Sequence, residues 1–373
     1  MLNFSVLYKV IGLFGLVALL FQWGVGEQVL AKESSKISKE REPSLESRHL
    51  SNIRQITFGG RNAEAYFSFD GDQLIFQSTR EAGTDEHRQC YQIYMMNLDG
   101  SGVHRVSTGH GGTTCGYFFP GGRRVLYSST HLSGLSCPPA LERTKRYRWA
   151  LDNYDIYSSK VDGRDLQRLT NTPGYDAEGT ISPNGRMIVF TSLRDGDLDL
   201  YSMKIDGTGL KRLTHEVGYD GGAFFSPDSQ RIVYRASHPH NLQEIDAYRE
   251  LLQQNLVEPS NLEIYVMNAD GSNKTQVTEN GASNFAPFFH KDGRRIIFSS
   301  NVHQHMGGEP KGRPIFHLYL VQDDGTGLEQ ITIEGHFNSF PMFSPDGKKL
   351  VWVSDRNATQ PREFNVFLAD WVP

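Results

Sequence analysis

The sequence predicts an all-β fold, a six-bladed β-propeller, and three observations carry this prediction. A unit of four short strand-like segments repeats along the chain. Tight-turn dipeptides separate the segments within each unit. The last unit lacks its closing strand, and a spare copy of that strand lies near the N-terminus. Four-stranded units that repeat along a chain in this way are typical of propellers. We therefore place the propeller at residues 52–373.

The clearest unit spans residues 171–214. Its second segment, Met187 to Ser192, is apolar and β-prone, and its third, Leu198 to Ile205, alternates large apolar with polar residues. The hairpins turn at Asn184-Gly185 and Asp206-Gly207, dipeptides that accept the positive φ of a tight turn. The unit is therefore predicted to be a four-stranded antiparallel meander.

The copies of these turns differ in number. The first turn recurs six times, at 70–71, 121–122, 184–185, 228–229, 292–293 and 346–347, and the second five times, at 99–100, 162–163, 206–207, 270–271 and 324–325. The closing strand, a basic residue or Gln followed by an aliphatic residue and Thr, occurs six times, first at Arg54 to Thr57. A closing strand thus precedes the first complete unit, and the last unit lacks one. A closed ring explains both facts, because the N-terminal strand then completes the last blade and no long sheet edge is left open.

Residues 1–31 resemble a secretory signal peptide, with Lys9, an apolar run from Val10 to about Phe21, and small residues around Ala31. We expect export with cleavage, and hence a periplasmic or secreted protein; an uncleaved anchor is the alternative. Residues 32–51 are polar and aperiodic, and we interpret them as a disordered linker.

Composition and missing motifs exclude several classes of function. A net charge of -5 and a pI of about 6.2 argue against a nucleic-acid partner. The sequence has no Gly-x-Ser-x-Gly, His-Glu-x-x-His or Gly-x-x-x-x-Gly-Lys motif. The Gly-Gly pairs at 59–60, 111–112, 121–122 and 221–222 are interpreted as turn residues. We expect a monomer without a cofactor, in contact with a membrane only through its signal segment.

Three cysteines, Cys90, Cys115 and Cys137, allow one disulfide in an exported chain. Cys115 and Cys137 both map to loops of the second blade, which favours that pair; three unpaired thiols are the alternative.

The long insertions all map to one face of the predicted ring. They are 80–91, 131–153, 238–261 and 302–315, whereas every tight Asp-Gly turn maps to the opposite face. Loops that grow on one side of a rigid scaffold commonly form a binding surface. We call this side the loop-bearing face and the other the tight-turn face.

Two insertions have features of their own. In the third, Asn241 and Glu244 predict a capping box, and Leu242, Ile245, Tyr248, Leu252 and Leu256 recur at helical spacing before Pro259. This predicts a helix packed on the loop-bearing face, with a partner-binding helix as the alternative. In the second, Arg143, Lys145, Arg146 and Arg148 alternate with Tyr147 and Trp149. Such a cluster suits a polyanionic glycan or an acidic segment, or is a solvated loop.

Two rings of candidate ligand-binding residues follow from the register of the repeats. One ring comes after the second strands and comprises Arg80, His131, Arg194, His238, Val302 with His303, and Arg356; the other precedes the innermost strands and comprises Asn62, Thr113, Asp176, Asp220, Asn284 and Asn338. Both are expected at the channel mouth on the loop-bearing face. For the second ring the alternative is structural, because short polar side chains at such positions bond nearby backbone.

The histidines suggest a divalent metal as an alternative. His238 and His240, and likewise His303 and His305, are spaced so that an extended segment would project both imidazoles the same way. Together with His131 they are the candidate metal ligands.

The motifs Ser-Pro-Asp-Gly, Ile/Leu-Tyr-x-Met-x-x-Asp-Gly and Arg-x-Leu-Thr resemble the TolB-type, WD-like propeller repeat over nearly all of residues 52–373. TolB carries an α/β domain ahead of its propeller that engages its envelope partners, and too few residues precede Ile53 for such a domain here. The resemblance implies a non-catalytic module that binds a protein segment or polysaccharide at the channel mouth. The alternative is a metal-dependent polysaccharide lyase with His131, His238, His303 and Arg194 around the ion.

Overall fold

The computed structural model describes residues 44–80, 90–139, 141, 147–305 and 312–373. Within them six four-stranded antiparallel sheets follow one another. The first strands of neighbouring sheets lie against each other around a ring. The prediction of a six-bladed β-propeller is confirmed, while the predicted signal segment and most of the predicted linker lie outside the described residues.

The strands are numbered along the chain. Blade 1 has β2 (Asn62–Phe67), β3 (Gln73–Ser78), β4 (Gln92–Asn97) and β5 (His104–Arg105), after β1 (Leu50–Gln55). Blade 2 has β6 (Thr113–Phe118), β7 (Arg124–Ser129), β9 (Asp155–Lys160) and β10 (Gln167–Arg168), with β8 (Trp149–Ala150) in its insertion. Blade 3 has β11 (Asp176–Ile181), β12 (Met187–Ser192), β13 (Asp199–Lys204) and β14 (Lys211–Arg212).

The second half of the ring follows the same order. Blade 4 has β15 (Tyr219–Phe225), β16 (Arg231–Ser237), β18 (Glu263–Asn268) and β19 (Thr275–Gln276), and its insertion holds α1 (Leu242–Gln253) and β17 (Leu256–Val257). Blade 5 has β20 (Asn284–Phe289), β21 (Arg295–Ser300), β22 (His317–Gln322) and β23 (Glu329–Gln330), with α2 (Val302–His305) in its insertion. Blade 6 has β24 (Asn338–Phe343), β25 (Lys349–Ser354) and β26 (Asn365–Trp371).

The fourth strand of blade 6 is β1, which confirms the predicted closure by the N-terminal strand. Leu50 is paired with Trp371 and Gln55 with Phe367. Two residues beyond the strand, Thr57 accepts a hydrogen bond at its Oγ1 from the backbone N–H of Val366 (2.8 Å). Two ends of the chain are thereby joined in one sheet.

The same side-chain bond closes every blade and gives the Thr of the repeated motif its role. A hydroxyl of the outermost segment accepts from the third strand's backbone N–H at Ser107, Thr170, Thr214, Thr278, Thr332 and Thr57, over 2.8–3.0 Å. Because the outermost strand has few ladder bonds, this buried bond fixes its position.

The second turn needs glycine because it packs against the preceding blade. Gly100 has a φ of +84°, and a Cβ there would lie 2.6 Å from the carbonyl oxygen of Ile56. A Cβ added at Gly325 would likewise lie 2.7 Å from the carbonyl oxygen of Val277. These contacts make the turn part of the interface between blades.

The middle strands are buried on both faces because blades stack face to face. In β3, β7 and β12 the five residues after the first are all buried. Large aromatic side chains fill these interfaces, among them Phe76, Phe190 and Trp352. This double burial explains why these segments read as continuous apolar runs.

The described part of the chain begins inside the predicted linker, which was placed at 32–51. Glu46–Arg48 forms a 3-10 turn, and Leu50 and Ser51 already belong to β1. Glu46 is buried, pairs with Arg356 (Oε1 to Nη2, 2.8 Å) and accepts from the backbone N–H of Ile333 (2.7 Å). The polar, aperiodic sequence around Glu46 does not predict this contact, because its partners, Arg356 and Ile333, lie far away in the chain.

The predicted Cys115–Cys137 disulfide is wrong. Cys137 is bonded to Cys90, with the two Cα atoms 5.6 Å apart, and Cys115 is a free thiol. Cys115 lies on the innermost strand β6 rather than in a loop. Its side chain lines the channel.

None of the helices in the described part of the chain is long and apolar enough to cross a membrane.

Removing the closing hydroxyl should weaken the ring. We expect Thr57→Val to lower the free energy of unfolding by about 1–3 kcal/mol, because the buried N–H of Val366 loses its acceptor. Urea unfolding of the protein, followed by tryptophan fluorescence, measures this. Thr326→Val is the matched control, since that hydroxyl bonds Asp324 in an exposed turn. Equal losses in both variants would contradict the closing role of Thr57.

The disulfide assignment can be checked directly. Peptide mapping of the non-reduced protein should recover Cys90 and Cys137 in one linked pair and Cys115 as a thiol, because only the first two lie within bonding distance. A linked Cys115–Cys137 pair would show the placement of β6 to be incorrect.

Candidate functional site

In three blades a member of one predicted ring bonds a member of the other. In blade 3, Arg194 donates from Nη2 to Asp176 Oδ1 (2.9 Å) and from Nε to Ser192 Oγ (2.8 Å). Its guanidinium lies over the rings of Phe190 and Tyr201. Asp176 is buried, so this ion pair clamps the start of the first strand to the end of the second.

The clamp recurs with local variation. Arg80 donates to Asn62 (Nη2 to Oδ1, 3.3 Å), and Arg356 turns instead to Glu46. His238 Nε2 lies 3.1 Å from Asp220 Oδ1. Burial raises the pKa of Asp220; burial lowers the pKa of His238, but the bond to Asp220 and its charge reverse this and leave it raised. These candidate residues thus stabilise the blades through their bonds. Their contact with a ligand stays a prediction.

The five candidate metal ligands are divided among three blades: His131 in blade 2, His238 and His240 in blade 4, and His303 and His305 in blade 5. His131 Nδ1 contacts Ser129 Oγ (2.9 Å), His238 pairs with Asp220, and His303 packs against His317 with ring centroids 4.9 Å apart. His303 and His305 belong to α2, not to an extended segment. Residues two apart in a helix point about 200° apart, so the predicted shared direction is wrong for this pair.

Two insertions join above the channel. Strand β8 pairs with β17, Trp149 with Val257, and Arg148 lies 3.4 Å from Glu258. The helix predicted in the third insertion is confirmed as α1, with Asn241 as its N-cap. Its predicted stripe is only partly correct, because Leu242 is 74% exposed and Leu256 belongs to β17. Arg143, Lys145 and Arg146 lie outside the described residues.

A β-bulge in every innermost strand forms the channel wall. In each blade the register shifts in the first half of that strand, and one residue has a positive φ. The six residues are Glu64, Cys115, Glu178, Gly222, Ala286 and Phe340, with φ of 50–60°. All six line one cavity on the ring axis. Bulges re-aim side chains in this way next to functional sites.

An aromatic plug closes the channel on the tight-turn side. Two residues beyond the bulges, Tyr66, Tyr117 and Phe224 contact one another with ring centroids 5.4–6.0 Å apart. Tyr66 and Phe224 belong to blades 1 and 4, so their contact spans the axis. The cavity is therefore a blind channel that opens toward the loop-bearing face.

A charged network occupies one wall of the channel. Arg235 bonds Glu178 and, through Nε, the hydroxyl of Tyr219 (2.9 Å). Glu178 also accepts from the backbone N–H of Gly222 (2.8 Å), and the Trp149 ring lies 5.1 Å from the Arg235 guanidinium. The network links blades 3 and 4 to the second insertion.

Gly221 and Gly222 make room for this network, which corrects their interpretation as turn residues. Both lie within β15. A Cβ at Gly222 would lie 3.0 Å from Arg235 Cζ, and one at Gly221 would collide with Tyr219 and Glu178. The pair is needed because the side chains of Arg235, Tyr219 and Glu178 fill the space beside it.

Among the described side chains, no such cation is paired with Glu64. The bulge residue of the neighbouring blade, Cys115, lies beside it on the channel wall. Burial raises the pKa of Glu64 to about 7; the Cys115 contact lowers it, the Glu178 charge raises it and Arg235 lowers it again. Burial also raises the pKa of Cys115 well above its usual range, so this thiol stays protonated.

Blades 5 and 6 make the rest of the mouth apolar. Phe285, Phe316, Phe337 and Phe364 follow one another in ring contact, with centroids 5.0–6.4 Å apart, and Phe285 also contacts Phe340. All five are partly exposed. The mouth is thus polar on blades 1–3 and aromatic on blades 5 and 6.

A second cavity, of about 220 Å³, opens beside α1. Its walls are Asp195, Asp197, Arg212, His215 and Tyr248, with Arg249. Tyr248 donates to Asp197 (2.6 Å) and holds α1 on blade 3.

Sequence reasoning missed the channel residues, although a register signal for them exists. Each lies two positions after a member of the predicted Asn/Asp/Thr ring: Glu64 follows Asn62, and Glu178 follows Asp176. In a regular strand, this spacing places both residues on one face. The bulge instead turns them apart. The member of the Asn/Asp/Thr ring bonds within its own blade, and the residue two positions later faces the channel.

The raised pKa of Glu64 makes stability depend on pH. Between its usual 4.5 and about 7 the native state keeps a proton that the unfolded chain has released, so the free energy of unfolding falls as pH rises through this window. We expect a loss on the order of 1–3 kcal/mol, absent in Glu64→Gln. Urea unfolding at a series of pH values measures it. Glu250→Gln, an exposed change on α1, is the control, and parallel curves for wild type and Glu64→Gln would contradict the assignment.

Comparison with known proteins places the chain in a family. The TolB β-propeller domain model matches residues 148–255 and 249–370, more than half of the chain. Over 92 residues the chain is 33% identical to an uncharacterised protein of Agrobacterium fabrum, covering 25% of this chain and 28% of the other. The chain thus spans little more than a quarter of that relative's length.

Two solved structures share the fold. A structure assigned to TolB from Agrobacterium tumefaciens is 20% identical with a TM-score of 0.57, covering 86% of this chain and 97% of the other. TolB from Acinetobacter baumannii is 17% identical with a TM-score of 0.53, covering 84% and 64%. Fold, repeat motifs and family match agree, and the chain belongs to the TolB β-propeller family.

Proposed function

We propose that this protein is a non-catalytic recognition module that binds a protein segment or a polymer chain across the loop-bearing face, at the mouth of the blind channel. The family match supports the propeller framework, and the joined insertions supply a wall above the channel. A periplasmic or secreted location fits this role and is supported by the signal-like sequence at 1–31.

The distribution of exposed apolar side chains carries the proposal. Among the described large hydrophobic residues, those more than 60% exposed are Phe58, Leu132, Leu135, Tyr147 and Leu242. All five lie on the loop-bearing face, in insertions or in a connection between blades. On the tight-turn face the most exposed is Leu210, at 47%. Exposed apolar groups concentrated on one face are typical of a protein-interaction surface.

The lyase alternative has no comparable support. It requires His131, His238 and His303 around one ion, yet each is in a different blade and contacts a neighbour of its own blade. In the ranges that the structure describes, no group of three or more His, Cys, Asp or Glu side chains is placed to hold a metal. We therefore propose binding rather than metal-dependent catalysis.

Quantitative capture can test the proposed face. The purified mature chain is immobilised and exposed to envelope extract of the source cells, beside a Phe58→Ser/Leu242→Ser variant and a control with Leu210→Ser/Leu328→Ser on the tight-turn face. We expect at least one protein or glycan whose recovery falls several-fold with the first variant alone, because only that variant removes exposed apolar surface at the mouth. Urea unfolding verifies that both variants fold. Recovery that is indifferent to the face altered would refute the proposal.

A further inference from the structure

The size of the blind channel limits what can enter it. Its cavity is about 30 Å³, bounded by the bulge residues at the sides and by Tyr66 and Phe224 below. This is room for about two water-sized groups. A sugar ring does not fit, whereas the end of an extended side chain does.

The charges inside favour a positive group. Glu178 is neutralised by Arg235, and its oxygens also accept from Thr191 Oγ1 (2.8 Å) and the backbone N–H of Gly222 (2.8 Å). Glu64 contacts the neutral thiol of Cys115 instead. Among the described residues of the channel wall, two carboxylates stand against one guanidinium, so an anion would be repelled, and an entering cation would supply a counter-ion for ionised Glu64.

The wall beside Glu64 suits the same group. Phe340 of blade 6 lines the cavity next to Glu64 of blade 1 and across the axis from Glu178, and Ala286 of blade 5 adds only a methyl group there. A cation next to a carboxylate and an aromatic face gains from both. The plug below keeps water from entering from the tight-turn side, which strengthens the charge interaction.

We infer that the blind channel is a pocket for one cationic group of the ligand, an alkylammonium or guanidinium, with Glu64 as its counter-ion. The inference rests on the proposed binding function and names the chemistry that the ligand must present at the channel mouth. A Lys or Arg side chain of a bound segment and a free small amine share this chemistry.

Binding at this pocket should be linked to the ionisation of Glu64. The groups that face it are Cys115, Glu178, Arg235, Tyr66, Tyr91 and Tyr154. Burial raises the pKa of the thiol and of the three tyrosines, which therefore stay protonated near neutral pH. Burial likewise raises the pKa of Glu64 to about 7, so this carboxyl loses its proton as the pH rises through about 7, and it attracts the cation once it is ionised.

An NMR titration of the mature chain tests the pocket. Alanine residues are labelled with ¹³C at the methyl group, and Ala286 reports on the channel. We expect n-butylammonium to shift the Ala286 signal saturably at pH 8, with affinity reduced about tenfold or more at pH 5. Neutral n-butanol, of the same length, should cause no saturable shift. Glu64→Gln should abolish the response, while Glu250→Gln should retain it.

The outcomes separate this inference from the proposed function. Equal binding of butanol, retention of binding in Glu64→Gln, or no saturable shift of wild type at pH 8 would overturn the cation pocket, and none of these depends on the capture result. A lysine-containing tripeptide with blocked termini distinguishes the sources. Binding of peptide and amine alike supports a cationic side chain of a protein segment, and binding of the amine alone supports a small amine.

Discussion

The pairing of β1 with β26 is the interaction on which the rest of the structure depends. It joins the segment after residue 49 to the chain's last strand and adds the Thr57 to Val366 bond that every other blade repeats within itself. Each blade is buried between two neighbours only while the ring is closed. The channel, its plug and the common direction of the insertions follow from that closure, because all are defined around one axis.

Polar residues in this propeller divide into two roles that the sequence does not distinguish. The clamps, such as Asp176 with Arg194, lie at blade positions where buried charges need partners, and they find these within the same sheet. The channel residues lie two positions further on and are turned by a bulge toward the axis. The repeated fold therefore uses its most regular charged residues for stability. The bulge positions, which vary from blade to blade, are the ones on which the proposed recognition depends.

The channel is asymmetric because its neighbourhood differs from blade to blade. Blade 4 has glycine at the bulge, and Arg235 enters the space that a side chain would fill. Trp149, from the insertion of blade 2, covers that guanidinium, and β8 and β17 hold the cover in place. A substitution in either insertion that displaces Trp149 would consequently alter the surroundings of Arg235 on the charged wall of the channel. Blades 5 and 6 have no such network in the described residues and present phenyl rings instead.

The sequence by itself determined the six blades, the closing strand, the face that bears the insertions and the capped helix α1, because turns, strand periodicity and caps are local signals. Only the tertiary structure decided that Cys90 rather than Cys115 bonds Cys137, that Glu46 reaches Arg356, and that Glu64 and Glu178 face the axis. These depend on residues far apart in the chain, and on bulges that break the two-residue period of a strand. Side-chain direction inside a ring is set by the neighbouring blades, which no single repeat encodes.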